Sequence, residues 1–398
     1  IFQFIMIIIK GVDAKEILDS RGEKTISVSV KTNAGEFSAS APNGKSKGKH
    51  EAKSYKQNLE KDIETIKKFS DYFSEEALEK FDDLKRVEDI LEGHVGANTL
   101  FAFESAVLKA MAGEKKIEVW KLVIDSSHDF LAKATKPKMP RLVGNCVEGG
   151  KHSRTTKRPD FQEFLLIPNL KSVRENFEKN KITKKEVGEI LKKIDEKFEG
   201  KKTDENAWMT ALNEKEVLDV LKKTKLQIGV DVAGSSFFKR KKYNYLNPML
   251  KRDSDEQLGY LSNLIKNFDL FYIEDPFDEE DFESFAKLLK KFPDRLVVGD
   301  DLIVTNYKRL EKAIEMKSIN AIIVKPNQCG SLIKMKKVCE MAKENKIKII
   351  FSHRSGETEE NILADLAFGF QADFFKCGID GKERISKINR LIEIEKSL

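Results

Sequence analysis

The amino-acid sequence predicts an α/β protein with two parts. We expect an N-terminal α+β domain at residues 1–133 and a C-terminal TIM-type β/α barrel at residues 134–398. The first part alternates polar and apolar residues and then turns helical, whereas the second repeats short apolar strands and amphipathic helices. With 398 residues and 40% hydrophobic content, the chain is long enough to bury the core of a barrel and a second domain.

The N-terminal domain begins with a predicted β-hairpin. Two short stretches alternate polar and apolar side chains on either side of a turn at Ala34 and Gly35, which is the pattern of half-buried strands. Over residues 54–112 the pattern becomes helical. The stretch at residues 133–142 contains two prolines and therefore predicts a linker between the two domains.

The barrel strands are predicted from near-continuous apolar runs. Residues 139–147 and 160–168 would supply the first two strands, and later runs are rich in Val and Ile. Such runs are typical of strands that are covered on both faces, which is the usual state of a parallel sheet. We therefore expect a parallel sheet of about eight strands that closes into a barrel.

Charged residues end the later strands at a regular interval. Glu274, Asp300, Lys325, His353 and Lys376 follow one another at spacings of 26, 25, 28 and 23 residues, which is the length of a βα unit. In β/α barrels the active site lies at the C-terminal ends of the strands. These side chains are therefore expected to share one rim of the barrel.

The amino-acid composition restricts the kinds of function that the protein can have. The 35% of charged residues is nearly balanced, and the net charge of +6 is spread along the chain; this suits an anionic small-molecule substrate and makes nucleic-acid binding unlikely. Four cysteines without paired spacing predict a reducing compartment, so we expect a cytoplasmic protein. The apolar run at residues 1–9 is too short for a membrane span, and we expect an edge strand that begins near Ile7.

Three carboxylates form the candidate metal site. Asp231, Glu274 and Asp300 each end a predicted strand, and their oxygens are hard ligands that suit Mg2+ and also Mn2+. A single acidic residue after a strand is usually a helix N-cap. Three in succession, followed by Lys325 and His353, favour a metal site over three separate caps.

An acid and a base are predicted at the same rim. Lys325 is the candidate base, because a lysine beside a metal-bound carboxylate and other cations can have its pKa lowered enough to accept a proton. Glu163 and Glu205 are carboxyl groups in loop-rich regions that could serve as the complementary acid. An opposed acid and base are what an elimination reaction requires.

Motifs along nearly the whole chain make the sequence similar to the enolase family. They are ILDSRG at 17–22, VGAN at 95–98, QEF at 162–164, IEDPFDEED at 273–281, GDDLIVTN at 299–306, KPNQ at 325–328, SHRSGETE at 352–359 and the ending RLIEIE. The resemblance implies an enolase-like barrel and a lyase that reversibly dehydrates 2-phospho-D-glycerate to phosphoenolpyruvate in glycolysis and gluconeogenesis. It also implies two Mg2+ ions per active site and a homodimer or higher homo-oligomer.

The resemblance further implies a role for each matching residue. The implied metal ligands are Asp231, Glu274 and Asp300 for the tighter ion and Ser46 for the second. The implied catalytic residues are Lys325 as proton acceptor, Glu205 as proton donor, and Glu163 and His152 near the departing hydroxyl. The implied substrate contacts are Ser46, Gln162, His353, Arg354 and Ser355, the last two to the phosphate, and Lys376 to the substrate carboxylate.

Three loops depart from the family pattern. GKSKG at 44–48 adds two lysines, SRTTKRPD at 153–160 replaces a glycine-rich stretch, and TDENA at 203–207 keeps Glu205 but lacks the flexible glycines, which changes how such a loop can close. These departures leave two alternatives open. The chain could be a divergent relative that acts on another hydroxy acid, or a weakly active enolase-like binding protein.

Overall fold

The computed structural model describes residues 6–45, 48–73, 76–126 and 137–398. Two sequence-based predictions lie outside these residues, namely the ligand role of Ser46 and the domain boundary between residues 133 and 134. Within the described residues, no helix has both the length and the apolar character needed to cross a lipid bilayer.

The described strands and helices alternate along most of the chain. The strands are β1 (Ile7–Leu18), β2 (Lys24–Thr32), β3 (Gly35–Ser40), β4 (Ala77–Leu78), β5 (Arg141–Glu148), β6 (Glu163–Ile167), β7 (Trp208–Met209), β8 (Gln227–Asp231), β9 (Phe238–Lys239), β10 (Lys242–Leu246), β11 (Met249–Arg252), β12 (Tyr272–Glu274), β13 (Leu296–Gly299), β14 (Ala321–Val324), β15 (Lys348–Ser352) and β16 (Phe374–Gly378). The α-helices are Leu59–Lys68, Leu84–Leu91, Ala97–Lys115, Val119–Ser126, Val173–Ile194, Glu214–Lys222, Ser254–Phe268, Phe282–Lys291, Tyr307–Glu315, Pro326–Cys329, Leu332–Glu344, Ile362–Gly369 and Lys382–Ser397, and short 3-10 helices span Ser70–Phe73, Phe81–Asp83 and Gly234–Ser236.

The N-terminal sheet has the strand order β3-β2-β1-β4. The predicted hairpin is present as antiparallel β2 and β3, and the alternate residues Ile26, Val28 and Val30 are fully buried, as the sequence pattern requires. β1 begins at Ile7, as expected, but it is not an edge strand. It lies between β2 and β4 because its first two residues pair with the short strand β4.

The second sheet is a closed barrel. Within the described residues its eight strands follow the order β16-β15-β14-β13-β12-β8-β6-β5, and pairing of β16 with β5 closes the ring. The barrel helices begin where polar side chains can accept the free backbone N–H groups of the first turn. Asp253 and Ser331, for example, each accept an N–H from the residue three positions later.

Strand β6 corrects the expectation of a wholly parallel sheet. It runs antiparallel to both neighbours, β5 and β8. The connection from β5 to β6, residues 149–162, contains no helix, and without a helical crossover two consecutive paired strands run antiparallel. The buried run of β6 is apolar in either direction, so the sequence pattern could not reveal this reversal.

A small antiparallel sheet, β11-β10-β9, lies between β8 and the helix Ser254–Phe268. The sequence analysis did not predict it. Its strands have two to five residues, and they interrupt the βα repeat between the Asp231 strand and the Glu274 strand.

The close contact between the two domains at Gly330 leads to a stability prediction. Gly330 has φ of 78°, and a Cβ added there would lie 2.5 Å from the Cα of Ala97 in the N-terminal domain. Gly330→Ala should therefore lower the free energy of unfolding by about 2 kcal/mol or more, since both the left-handed backbone and the overlap are unfavourable. The measurement is the midpoint of urea unfolding.

Gly259→Ala is the matched control. Gly259 is exposed on the helix Ser254–Phe268, and no atom lies within 4 Å of the Cβ that the substitution adds. Because alanine favours a helix over glycine by about 1 kcal/mol, this variant should unfold at an equal or higher urea concentration. Equal midpoints for the two variants would contradict the predicted clash at Gly330.

Candidate active site

A pocket of about 460 Å3 lies at the barrel rim where the parallel strands end. Of the predicted site residues that the structure describes, only Glu274 is not part of its wall, and Glu274 instead contacts Lys376. The predicted residues in the wall are His152, Gln162, Glu163, Glu205, Asp231, Asp300, Lys325, His353, Arg354, Ser355 and Lys376.

Strand register explains why these side chains meet. Asp231 and Glu274 are the last residues of β8 and β12 and pair directly across the two strands. Asp300 follows the neighbouring strand β13, and Lys325 follows β14. Glu163 is the first residue of β6, and because β6 is antiparallel it lies opposite Asp231 at this same rim.

Lys376 lies at the centre of the buried carboxylates. Its Nζ is 2.7 Å from Glu274, 2.9 Å from Glu163 and 3.3 Å from Asp231. Burial works against its charge, but these three carboxylates outweigh burial and raise the pKa of Lys376 well above its ordinary value. Lys376 therefore remains a cation and can contact an anionic group.

The pKa of Lys325 depends on its direct contact with Asp300. Burial favours the neutral amine, and so do the cations Arg354 and Lys376, but the direct ion pair with Asp300 raises the pKa of Lys325 above its ordinary value. The sequence analysis weighed the neighbouring cations and the metal, but it could not show that the Asp300 carboxylate contacts the ammonium group.

Crowded carboxylates make a divalent cation site plausible on chemical grounds. Oxygens of Asp275, Asp300 and Asp301 lie within 4.8 Å of one another. Burial and then Asp300 raise the pKa of Asp301 to about 7, and burial and then Asp231 raise the pKa of Glu274 to about 8. A divalent cation would relieve this repulsion, and carboxylate oxygens are ligands that Mg2+ prefers.

Unpaired acceptors support the same conclusion. In the described part of the chain, Glu274 Oε1 and Gln162 Oε1 are buried and accept no hydrogen bond. Buried acceptors are normally satisfied, so these oxygens are available to a cation or to a ligand. Asp275 and Asp301 were not predicted from the sequence, although each directly follows a predicted ligand.

The acidic side of the pocket contains Glu163 and Glu205. Burial raises the pKa of Glu163 well above its ordinary value, despite the opposing charge of Lys376. Burial also acts to raise the pKa of Glu205, but His353, whose Nε2 lies 3.2 Å from the Glu205 carboxylate, and then His152 reverse the shift. The pKa values of these two neighbouring carboxyl groups are therefore shifted in opposite directions, that of Glu205 well below its ordinary value and that of Glu163 well above it.

One buried carboxylate in this region was missed by the sequence analysis. Glu148 ends β5, and its Oε1 lies 3.3 Å from His152 Nδ1. It ends a strand just as Asp231 and Glu274 do, which is the signal that could have identified it.

Another part of the pocket wall contains the cation Arg354. Arg354 is held by an ion pair with Glu51 at 2.8 Å, and it donates a hydrogen bond to Asn327 at 2.9 Å. The hydroxyl of Ser355 accepts a hydrogen bond from the backbone N–H of Lys45 at 2.7 Å. A buried guanidinium beside a hydroxyl is a chemically suitable place for a phosphate group.

The altered loops converge on Asp204. Its carboxylate lies 2.8 Å from Nζ of Lys45 in the GKSKG loop and 2.9 Å from Nη2 of Arg154 in the SRTTKRPD loop. Asp204 precedes Glu205 in the chain. The three loops that depart from the family pattern are therefore joined to one another by ion pairs next to the pocket.

Comparisons with known proteins agree with this architecture. The family model described as "Enolase, C-terminal TIM barrel domain" matches residues 136–398, and that described as "Enolase, N-terminal domain" matches residues 9–123. An enolase of Pyrobaculum aerophilum is 35% identical and covers 96% of this chain and 94% of its own length. An enolase of Methanosphaera stadtmanae is 34% identical over 98% of this chain and 97% of its own, and one of Methanothermobacter thermautotrophicus is 33% identical over the same shares.

Proposed function

The chain belongs to the enolase family and is a lyase, a phosphopyruvate hydratase, and on this premise we propose its mechanism. We propose that it dehydrates 2-phospho-D-glycerate to phosphoenolpyruvate in a reversible, Mg2+-dependent reaction of glycolysis and gluconeogenesis. In this proposal Lys325 removes the proton next to the substrate carboxylate, and Glu205 protonates the departing hydroxyl.

The observation that carries the proposal is the opposed placement of Lys325 and the carboxyl group of Glu163, which has an oxygen within 4.8 Å of an oxygen of the proposed acid Glu205. Lys325 follows β14 and Glu163 begins β6, and these strands are four positions apart in a ring of eight described strands. The two groups therefore lie on opposite sides of the pocket, with Glu205 in the wall as well. A substrate between them would present its proton to one side and its hydroxyl to the other.

The metal ions would be held by the crowded carboxylates. Asp231, Glu274 and Asp300 are the proposed ligands of one Mg2+, and Ser46 is proposed for the second. Bound Mg2+ would supply positive charge beside the substrate carboxylate, where negative charge builds up during proton removal. Lys376 would add its own charge to the same carboxylate.

The remaining site residues would orient the substrate. Arg354 and Ser355 are proposed to bind the phosphate, and Gln162 and His353 to line the reacting part of the molecule. Lys325 needs to lose its proton before it can act as a base. Arg354 and Lys376 favour the neutral amine, and a cation held by Asp300 would weaken the attraction of Asp300 for that proton.

The test is formation of phosphoenolpyruvate, followed by its ultraviolet absorbance, with purified protein and 2-phospho-D-glycerate. We expect absorbance to rise with Mg2+ present and to stay flat when EDTA removes the metal. No rise in a folded, Mg2+-binding protein would reject the proposal. That result would instead favour another hydroxy acid or a binding role, the alternatives that the altered loops leave open.

We also propose a homodimer or higher homo-oligomer, as the resemblance implies, and a cytoplasmic location, which the four cysteines without paired spacing favour. Analytical ultracentrifugation would measure the mass of the assembly, and a monomer at micromolar concentration would contradict the first of these two proposals.

A further inference from the structure

Glu148 is a buried carboxylate beside the candidate acid that the proposed mechanism does not use. It has no exposed surface, and it is the last residue of β5, paired with Glu163 across the sheet. Burying a carboxylate is unfavourable unless its neighbours compensate. The contacts of Glu148 therefore indicate what it does.

Those contacts are directed at His152. Oε1 of Glu148 lies 3.3 Å from Nδ1 of His152 and also accepts a hydrogen bond from Asn145. The amide of Asn145 donates a second hydrogen bond, of 3.2 Å, to Glu205, and His152 Nδ1 is 3.7 Å from the other oxygen of Glu205. Asn145 and His152 thus join the two carboxylates.

The second ring nitrogen of His152, Nε2, is available to bind a ligand in the pocket. With Nδ1 facing two carboxylates, the nitrogen that can still bind a ligand is Nε2. It is buried and has no hydrogen-bond partner among the residues that the structure describes, and His152 is part of the pocket wall. A histidine whose Nδ1–H is held by a carboxylate has a fixed ring orientation.

We propose that Glu148 is a positioning residue for the reaction, which holds His152 as a cation beside Glu205 with its Nε2–H directed into the pocket. The proposal rests on the proposed function, because it assigns His152 a place next to the departing hydroxyl. It gives a role to a residue that the family resemblance did not identify.

The charges around the ring support this assignment. Burial alone would lower the pKa of His152, but Glu148, and then Glu205 and Glu163, outweigh burial and raise it to about 9. His353 also contacts Glu205, from the far side. Since an ordinary histidine titrates near about 6.5, His152 stays protonated at neutral pH and loses its proton only as the pH rises through about 9.

This arrangement also contributes, after His353, to the lowered pKa of Glu205. In the resting site the proton of the cluster resides on His152, 3.7 Å from Glu205, rather than on the carboxylate itself. Glu148 favours that distribution because its carboxyl group faces the same edge of the ring; burial and Glu205 raise the pKa of Glu148, whereas the hydrogen bond and charge of His152 lower it. The cluster therefore holds on His152 a proton that can pass to Glu205, and from Glu205 to the departing hydroxyl.

The experiment is an NMR pH titration of the His152 ring in the full-length protein without substrate. The chain has five histidines, so the signal is assigned by its loss in His152→Asn. We expect His152 to titrate near 9 in the unmodified protein and about two units lower in Glu148→Gln, which keeps the shape but removes the charge. The high-pH limb of kcat should move down by a similar amount.

Two further variants keep the result interpretable. Glu148→Asp keeps the charge on a shorter side chain. In this variant His152 should titrate between its values in the unmodified protein and in Glu148→Gln, and the variant serves as the test if Glu148→Gln folds poorly. Glu104→Gln alters another fully buried carboxylate, which contacts the backbone of Leu332, and should leave the titration unchanged.

A His152 that titrates near 6.5 in the unmodified protein, or equally in all Glu148 variants, would overturn the proposal. The titration needs no turnover. Its failure is therefore distinct from failure of the proposed function, which would appear as absence of phosphoenolpyruvate formation.

Discussion

Replacing Lys325 with alanine should lower kcat for phosphoenolpyruvate formation by about 10^2 to 10^4, the range that a positioned general base contributes. KM should change much less, because Lys325 is proposed to act on the proton rather than to hold the substrate. The measurement is steady-state absorbance at saturating Mg2+. Lys325 contacts Asp300 directly, so Mg2+ binding should be measured on the same variant.

Two companion variants separate proton transfer from charge. Lys325→Arg keeps a cation at the end of β14 but cannot release its proton near neutral pH, so it should be almost as inactive as the alanine variant. Lys290→Ala removes an exposed lysine from the helix Phe282–Lys291 and should leave kcat unchanged. Substantial activity in Lys325→Arg would show that Lys325 supplies charge and that another group is the base.

The second large effect is expected at Glu274. Glu274→Gln should weaken Mg2+ binding by about 100-fold or more, since even residues that only support metal ligands contribute 10- to 100-fold. Glu274 has a buried oxygen with no hydrogen-bond partner in the described part of the chain, which is the atom proposed to bind the ion. Calorimetric Mg2+ titration and the Mg2+ dependence of kcat would both report the change.

Glu274→Gln also removes one of the ion-pair partners of Lys376. Loss of the Glu274 charge leaves Lys376 paired with Glu163 and Asp231, so the cation keeps two partners and the pocket should remain folded. Glu283→Gln, an exposed carboxylate paired with Lys287 on the surface, is the control. If Mg2+ affinity were the same in Glu274→Gln and Glu283→Gln, Glu274 would not be a ligand.

The barrel could be predicted because the same sequence pattern recurs in each βα unit. Each strand from β12 to β16 is a buried apolar run that ends at or near a charged or polar residue, and the spacing of Asp300, Lys325 and His353 matches a βα repeat. The resulting expectation, that these side chains share one rim, agrees with their positions in the structure. The N-terminal hairpin was equally accessible, because half-buried strands alternate in sequence.

The errors have physical causes. The direction of β6 depends on the connection that precedes it, and the apolar pattern of a buried strand does not indicate whether the strand is parallel or antiparallel to its neighbours. The contact of Lys325 with Asp300 is not an error but was not predicted, because no spacing in the sequence reveals it. Glu148 ends a strand, but it was missed because its role depends on side-chain contacts with Asn145 and His152, which only the structure shows.

The reversed strand has a consequence for how this site can change. In a wholly parallel barrel, an acid on the strand after β5 would lie at the C-terminal end of that strand. The connection between β5 and that strand would then have to cross from the active-site rim to the opposite rim. Here Glu163 begins β6 directly after the connection of residues 149–162, yet its position is fixed by its pairing with β5 and β8. The connection can therefore gain, lose or exchange residues over evolutionary time while the carboxyl group of Glu163 stays in register. Sequence changes in this loop then leave the position of the reacting group unchanged.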